Sequence, residues 1–217
     1  MPTRLLDRIL ADPDALSWAV LWREGQEHAE VLVGEVLDLD LLRDIPRPRA
    51  EAPVLTLVPY RQIAERGFDV HDDGTPLRVL SATAYQRLPV EELVAALPQA
   101  AVEVDGERFS VGDDDYAATV ERVIDEEIGQ GEGANFVIRR DVVARTTADP
   151  ATAALTWLRT LLVDERGAYW SFAVHTPGHT LVGATPERHV SVRDGRVWMN
   201  PISGTFRHPQ DEADLEP

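Results

Sequence analysis

Apolar positions recur along the first hundred residues at two periods, and each change of period marks an element. Leu5, Leu6, Ile9 and Leu10 fall at helical spacing and predict an opening helix over residues 3–11. "SWAVLWR" (17–23) and "AEVLVGEVLDL" (29–39) are dense in Val, Leu and Trp and predict strands. "LLRDIPRPRAEAP" is a proline-broken connection, and "VLTLV" (54–58) is a short buried-type strand stopped by Pro59. "YRQIAERGF" gives one or two helical turns ended by Gly67, and "HDDGTP" a turn. "LRVLSATAYQRL" (77–88) is a strand. Pro89 is expected at the first position of a helix whose apolar face is Val90, Leu93, Val94 and Leu97. "VEVDGERFSV" (102–111) is expected to be a hairpin about Asp105-Gly106, the pairing that a type I′ turn favours.

At residue 113 the texture changes. "DDDYAATVERVIDEEIGQG" is a helix with acids at its start, where the dipole favours them, and Gly129 as its stop. "ANFVIRRDVVA" follows as a strand. "DPATAALTWLRTLLV" is a helix with Asp149 as N-cap and Pro150 at its first position. The segment 168–204 reads as an antiparallel meander with helices on one side, its turns at "TPGH" and "DG". The predicted class is α+β, with antiparallel sheet layers flanked by helices and no strict βαβ alternation. The expected division is an N-terminal lobe over 1–111 and a second lobe over 112–217. "GQGEG" follows a helix instead of preceding one, so it is no phosphate loop.

Charge narrows the partners. The chain has 217 residues, with 21 Lys and Arg against 38 Asp and Glu, a formal net charge of −17. Such acidity argues against nucleic acid or an anionic membrane as partner, while leaving room for a small anion held by local donors. No cysteine is present, which excludes disulfides, thiolate metal sites and a cysteine nucleophile in these residues. The opening "MPTRLLDRIL" is not a signal peptide, and no apolar run of about 18 residues occurs, so a cytoplasmic protein is expected.

Few segments carry chemistry. His175 and His179 stand four apart, a metal spacing on a helix, but Thr176-Pro177-Gly178 between them makes hairpin-turn histidines the better reading. "DDD" (113–115) and "DEE" (125–127) read as solvated helix faces. In "NPISGTFRH" (200–208) a strand ends, and the N–H groups of Gly204 and Thr205 are able to form a small anion nest beside a hydroxyl. A plain strand-to-loop exit is the competing reading. "GATPER" (183–188) reads as a structural strand junction. Asn135 stands among apolar residues in "GEGANFVIRR". It either satisfies a nearby backbone group, as Asn often does at such positions, or governs what a pocket admits.

Two runs taken together resemble the chorismate-utilising enzymes: anthranilate synthase large subunits and aminodeoxychorismate, isochorismate and salicylate synthases. They are Gly183-Ala184-Thr185-Pro186-Glu187 and, after an intervening hairpin, Pro201-Ile202-Ser203-Gly204-Thr205, in the family's order and spacing. "VPYRQIAERGF", "VIDEEIGQGEGANFVIRR" and "GTFRHP" are similar to one branch, the 2-amino-2-deoxyisochorismate synthases of phenazine-type antibiotic pathways. The resemblance spans nearly the whole chain and implies a partial anthranilate synthase component I-like fold, with residues 112–217 as the first part of the chorismate-binding domain.

The resemblance gives Asn135 a role. Water-using members carry a lysine near the start of this strand to activate water, and ammonia-using members carry an amide, which cannot act as a general base. The implied nucleophile is ammonia, attacking C2 of chorismate with loss of the C4 hydroxyl. Members that attack through a covalent lysine read P-I-K-G-T; Ser203 stands at that lysine's place, so that route is closed. Ser203, Gly204 and Thr205 are the implied substrate contacts. The L-L-E-S run of tryptophan-regulated members is absent and "GAYWSF" (167–172) replaces a second such run, so no tryptophan feedback is expected. The family's Mg²⁺-binding glutamates and a glutamine amidotransferase that supplies ammonia are expected downstream of Pro217. The chain then reads as the N-terminal third of a homodimeric enzyme, inactive alone and exposing a sheet edge. Anthranilate synthase, which adds pyruvate elimination, and a non-catalytic chorismate-binding or assembly module are the alternatives.

Overall fold

The computed structural model describes residues 4–133, 135–164 and 169–200. Two compact units emerge, each built from two stretches of chain: Met1–Val102 with Ala148–Glu187, and Glu103–Thr147 with Arg188–Pro217. The first therefore draws in a segment well past residue 111.

The first unit is a six-stranded antiparallel sheet. Its strands are β1 (Trp18–Arg23), β2 (His28–Leu39), β3 (Val54–Leu57), β4 (Leu77–Pro89), β7 (Trp170–Thr176) and β8 (His179–Thr185). Their spatial order is β3-β4-β2-β1-β7-β8. Alternation along β1 sends Trp18 and Val20 to one face and Ala19 and Leu21 to the other, and all four are buried. Three helices cover the first face: α1 (Leu5–Ala11), α2 (Val90–Ala96) and α4 (Pro150–Asp164). Leu6, Ile9, Leu93, Leu155 and Leu158 pack there against Trp18, Val20, Val31 and Leu88. Each such buried side chain contributes about 1.5–3 kcal/mol relative to exposure. On the other face Leu32, Leu80, Ala82 and Val174 are lined by Tyr85, Trp170 and Phe172.

Local signals explain the ends. Gly67 takes φ 84° and stops a 3₁₀ turn over Tyr60–Arg66. Asp149 caps α4 by accepting from the Thr152 N–H at 2.8 Å. Pro89 sits one place earlier than its sequence suggests: it closes β4 opposite His28, and the helix begins at Val90. The Val90 N–H donates to the Glu27 carbonyl at 3.0 Å, a bond that a proline there could not make.

The second unit contains β5 (Asp105–Phe109), α3 (Asp113–Arg122), a π-helical continuation over Val123–Ile128, β6 (Val142–Arg145), β9 (Arg188–Arg193) and β10 (Arg196–Asn200). Three expectations change here. Residues 102–111 form no hairpin. Asp105-Gly106 instead lies where the β5–β6 register shifts, with Gly106 at φ 64°, so the glycine serves a bulge and the strand pairs with β6. The strand expected over "ANFVIRRDVVA" pairs only from Val142; residues 135–141 are irregular, with the Ile138 carbonyl and the Asp141 N–H bonded by the Tyr116 and Ser110 side chains. The expected meander is two structures: β7 and β8 belong to the large sheet, whereas β9 and β10 form a separate two-stranded ribbon. Its turn is as expected, with Asp194 at φ 50° and Gly195 at φ 71°.

Candidate functional site

Asn135 lies just past the end of the α3–π helix, on an irregular segment in place of the expected strand start. The helix ends where the Gly129 N–H donates to the Ile124 carbonyl at 2.8 Å and the Glu132 N–H to the Glu127 carbonyl at 3.0 Å. Gly131 then turns the chain at φ 82°. Gly133 packs under Phe136: a Cβ there would stand 2.9 Å from two ring carbons, closer than real Cβ contacts come. The intervening Asn135 is exposed, and its side chain has no hydrogen-bond partner among the described residues. Among the described residues, no backbone group is bonded by the Asn135 side chain.

The chain leaving Asn135 is held by side chains rather than by a ladder. The Tyr116 hydroxyl donates to the Ile138 carbonyl at 3.3 Å. Arg140 donates from Nε to the Val111 carbonyl at 3.0 Å and pairs with Asp113 in the first turn of α3. Its guanidinium lies 3.7 Å from the Phe109 ring centroid and 5.3 Å from that of Tyr116. The Asp141 N–H donates to Ser110 Oγ at 3.1 Å, and the Ser110 N–H returns a bond to the Asp141 carbonyl at 2.8 Å. The Arg139 guanidinium, donating to Asp141 at 2.8 Å, holds that carboxyl below the usual carboxylate range. Sequence reading missed this assembly. Phe109 and Tyr116 lie 31 and 24 positions before Arg140 in the sequence, so neither periodicity nor composition brings them together.

The Gly183–Glu187 run has a packing explanation. Gly183 pairs with Phe172, and a Cβ there would meet its ring at 3.0 Å. Thr185 Oγ1 accepts from the Glu187 N–H at 3.2 Å and turns the chain at Pro186. The run is a strand junction, as expected from sequence. Ser203, Gly204 and Thr205 lie outside the described residues.

The histidines sit at a hairpin, as read. Thr176 pairs with His179 across Pro177-Gly178, with Gly178 at φ 75°. His175 is buried, shares a 2.8 Å hydrogen bond between Nδ1 and Thr180 Oγ1, and stacks on Trp18. Arg78 grips Asp38 with two bonds of 2.7 and 2.8 Å and donates to the Pro177 carbonyl at 2.8 Å. It stands at a cavity of about 290 Å³ whose other walls include Leu57, Pro59, Pro76 and Leu181. On the same face of the sheet, Tyr85 donates to Glu30 at 2.8 Å, and Arg23 pairs with Glu30 at 2.7 Å while lying 4.4 Å over Trp170. Burial first, and the Glu30 hydrogen bond second, push the Tyr85 hydroxyl up to about 12.

Among the described residues no three His, Asp or Glu side chains gather to hold a metal ion, so these residues alone do not fit a Mg²⁺ site. No described helix is long and apolar enough to cross a membrane.

Comparison with known proteins gives the family. The model of the chorismate binding enzyme family matches residues 48–216. Anthranilate synthase, phenazine specific, of Pseudomonas fluorescens is 46% identical over 214 residues, covering 95% of this chain and 33% of that protein. Its counterpart from Pseudomonas chlororaphis is 46% identical over 213 residues, covering 94% and 33%. A 2-amino-4-deoxychorismate synthase of Streptomyces globisporus is 33% identical over 99 residues, covering 46% of this chain and 18% of that protein. The chain thus spans about a third of the length of the Pseudomonas relatives it matches. With the family model covering most of its residues, the chain belongs to the chorismate-binding enzyme family.

Proposed function

We propose that this chain is the N-terminal part of an ammonia-dependent, chorismate-aminating synthase of phenazine-type secondary metabolism. The observation that carries the reading is Asn135, an exposed amide with no hydrogen-bond partner among the described residues, at the position where the family resemblance places a lysine in water-using members. An amide cannot deprotonate water, whereas ammonia brings its own lone pair. Nitrogen attacks C2 of chorismate, the ring double bond shifts, and the C4 hydroxyl leaves as water once protonated. One ammonia enters, one water departs, and the enolpyruvyl group stays. Amine gained at C2 and hydroxyl lost at C4 is the change spelled out in the name of the Streptomyces relative. Named from isochorismate, the same product is 2-amino-2-deoxyisochorismate. Ser203, with Gly204 and Thr205, is assigned to substrate contact rather than covalent attack.

The words "anthranilate synthase" in the names of the Pseudomonas relatives favour a second reading, in which pyruvate is then eliminated from the aminated ring. A glutamine amidotransferase as ammonia source, Mg²⁺ held by residues beyond this chain, and a homodimeric whole enzyme complete the proposal.

The test extends the reading frame past Pro217 and incubates the product with chorismate, magnesium and ammonium. A mass reporting amine in place of hydroxyl, with the enolpyruvyl group retained, is expected. Fluorescent anthranilate would establish the second reading. A frame that ends at Pro217, in a chain that neither binds nor converts chorismate, would leave the non-catalytic module. The 217-residue chain alone is expected to be inactive.

A further inference from the structure

We propose that Arg140 is the positioning residue that sets the place of Asn135, an inference that rests on the amination reading above. From Asn135 to Arg140 no strand pairing holds the backbone among the described residues, and Val137 is 95% exposed. A nucleophile-selecting amide on such a segment needs its anchor elsewhere. Five residues on, Arg140 supplies one that no other described side chain of the segment matches. Its side chain is only 19% exposed, and it joins three places at once: the carbonyl of Val111, the carboxylate of Asp113 at the start of α3, and the faces of Phe109 and Tyr116. The planar guanidinium is needed for this. It donates along its edge while its face stacks on a ring, and an ammonium cannot do both. Tyr116, one of the rings beneath it, also holds the Ile138 carbonyl, so the clamp closes on the backbone three residues from Asn135. Upstream, the Gly133–Phe136 contact fixes the other side. The neighbouring Arg139 is a natural control: its side chain is 84% exposed and it bonds only Asp141, two residues away.

The experiment compares Arg140→Lys, Arg140→Ala and Arg139→Ala. In the 217-residue chain, hydrogen exchange is followed by mass spectrometry at the hydrogen-bonded amides of Ser110 and Asp141, which lie beside Arg140. Both Arg140 variants are expected to raise exchange there by about tenfold or more, with Arg139→Ala unchanged. In the extended enzyme, the ammonium KM is expected to rise between about tenfold and about a hundredfold in Arg140→Lys while the chorismate KM holds. Added guanidinium should partly rescue Arg140→Ala, which a general loss of folding would not permit. Unchanged exchange in both Arg140 variants, or parallel rises in both KM values, overturns the proposal. If the wild-type enzyme releases no amine while exchange responds as expected, the clamp stands and the amination reading falls.

Discussion

Gly34 offers a severe test of the packing argument. It sits in β2 at the register shift opposite β4, and its φ is not in the left-handed region, so its backbone alone would accept any residue. The neighbours forbid it. A Cβ would lie 2.0 Å from the Ser81 carbonyl oxygen, 2.6 Å from its carbon and 2.8 Å from the Ala82 Cα. All three are backbone atoms, so no side chain can rotate away. Gly34→Ala must instead push β2 from β4 against a ladder running from His28 to Leu39, and must strain the bonds from Gly34 to Ser17 and from Ala82 to Pro53, each 3.1 Å. Overpacking costs about 1–3 kcal/mol, and two weakened backbone bonds add about 1 kcal/mol each. Loss of unfolded-state entropy offsets about 0.4–1 kcal/mol. The net cost is about 3 kcal/mol, or a fall of about 6–12 °C in Tm for a chain of this size. The matched variant is Gly25→Ala, at φ 75° with nothing within 4 Å, where only the left-handed backbone resists, at about 1–2 kcal/mol. Urea and thermal unfolding followed by circular dichroism give both values. Gly34→Ala as stable as Gly25→Ala would refute the reasoning; failure of Gly34→Ala alone to fold would agree with it.

Three further outcomes follow from named contacts. The Asp38 carboxyl is held below its usual range chiefly by the Arg78 hydrogen bonds, so its stabilising contribution is present at neutral pH and lost as acid protonates it. Asp38→Asn should flatten the stability profile below about pH 4, by no more than about 1 kcal/mol because the carboxylate is half exposed. Tyr85, pushed up to about 12, stays neutral above the ordinary tyrosine range, and its contribution to stability is complete below that range and lost as pH rises through its own value. Ultraviolet titration should show a late phenolate that Glu30→Gln brings down only in part, because burial is the larger cause. Calorimetric titration with tryptophan should give no heat of binding; micromolar affinity would defeat the expectation of no feedback.

How much of this was legible beforehand differs between the two units, for a physical reason. Where burial is two-sided or periodic, the hydrophobic pattern sufficed: β1, β2, β4, α1 and α4 lie within a residue or two of their sequence reading. The left-handed turns at Gly67 and at Asp194-Gly195 were equally readable, because few residues accept that backbone. In the second unit the same signals misled. Asp105-Gly106 looked like a turn and is a bulge, since Gly at positive φ serves both and only the distant partner β6 decides. "ANFVIRR" has strand composition, yet its Ile138 carbonyl is bonded by Tyr116 and its Arg140 by the Val111 carbonyl. The role proposed for position 135 rests on family resemblance; its exposure and its lack of a partner among the described residues come from the geometry, and the contacts of Arg140 from neither composition nor periodicity.

This contrast bears on why the clamp is polar. In the first unit the sheet is sealed by fully buried leucines on one face and a second apolar cluster on the other. In the second, no described residue of 103–147 or 188–199 is buried, α3 buries nothing, and both faces of β5 and β6 are exposed. Two-stranded ribbons of that kind are marginal alone. A segment cannot be positioned there by hydrophobic packing, because little apolar surface is removed from water. Directional bonds remain, and a guanidinium that stacks, donates and pairs at once concentrates several of them in one side chain. A guanidinium clamp at Arg140, five residues from Asn135 and paired with Asp113, is the kind of anchor such a surface allows.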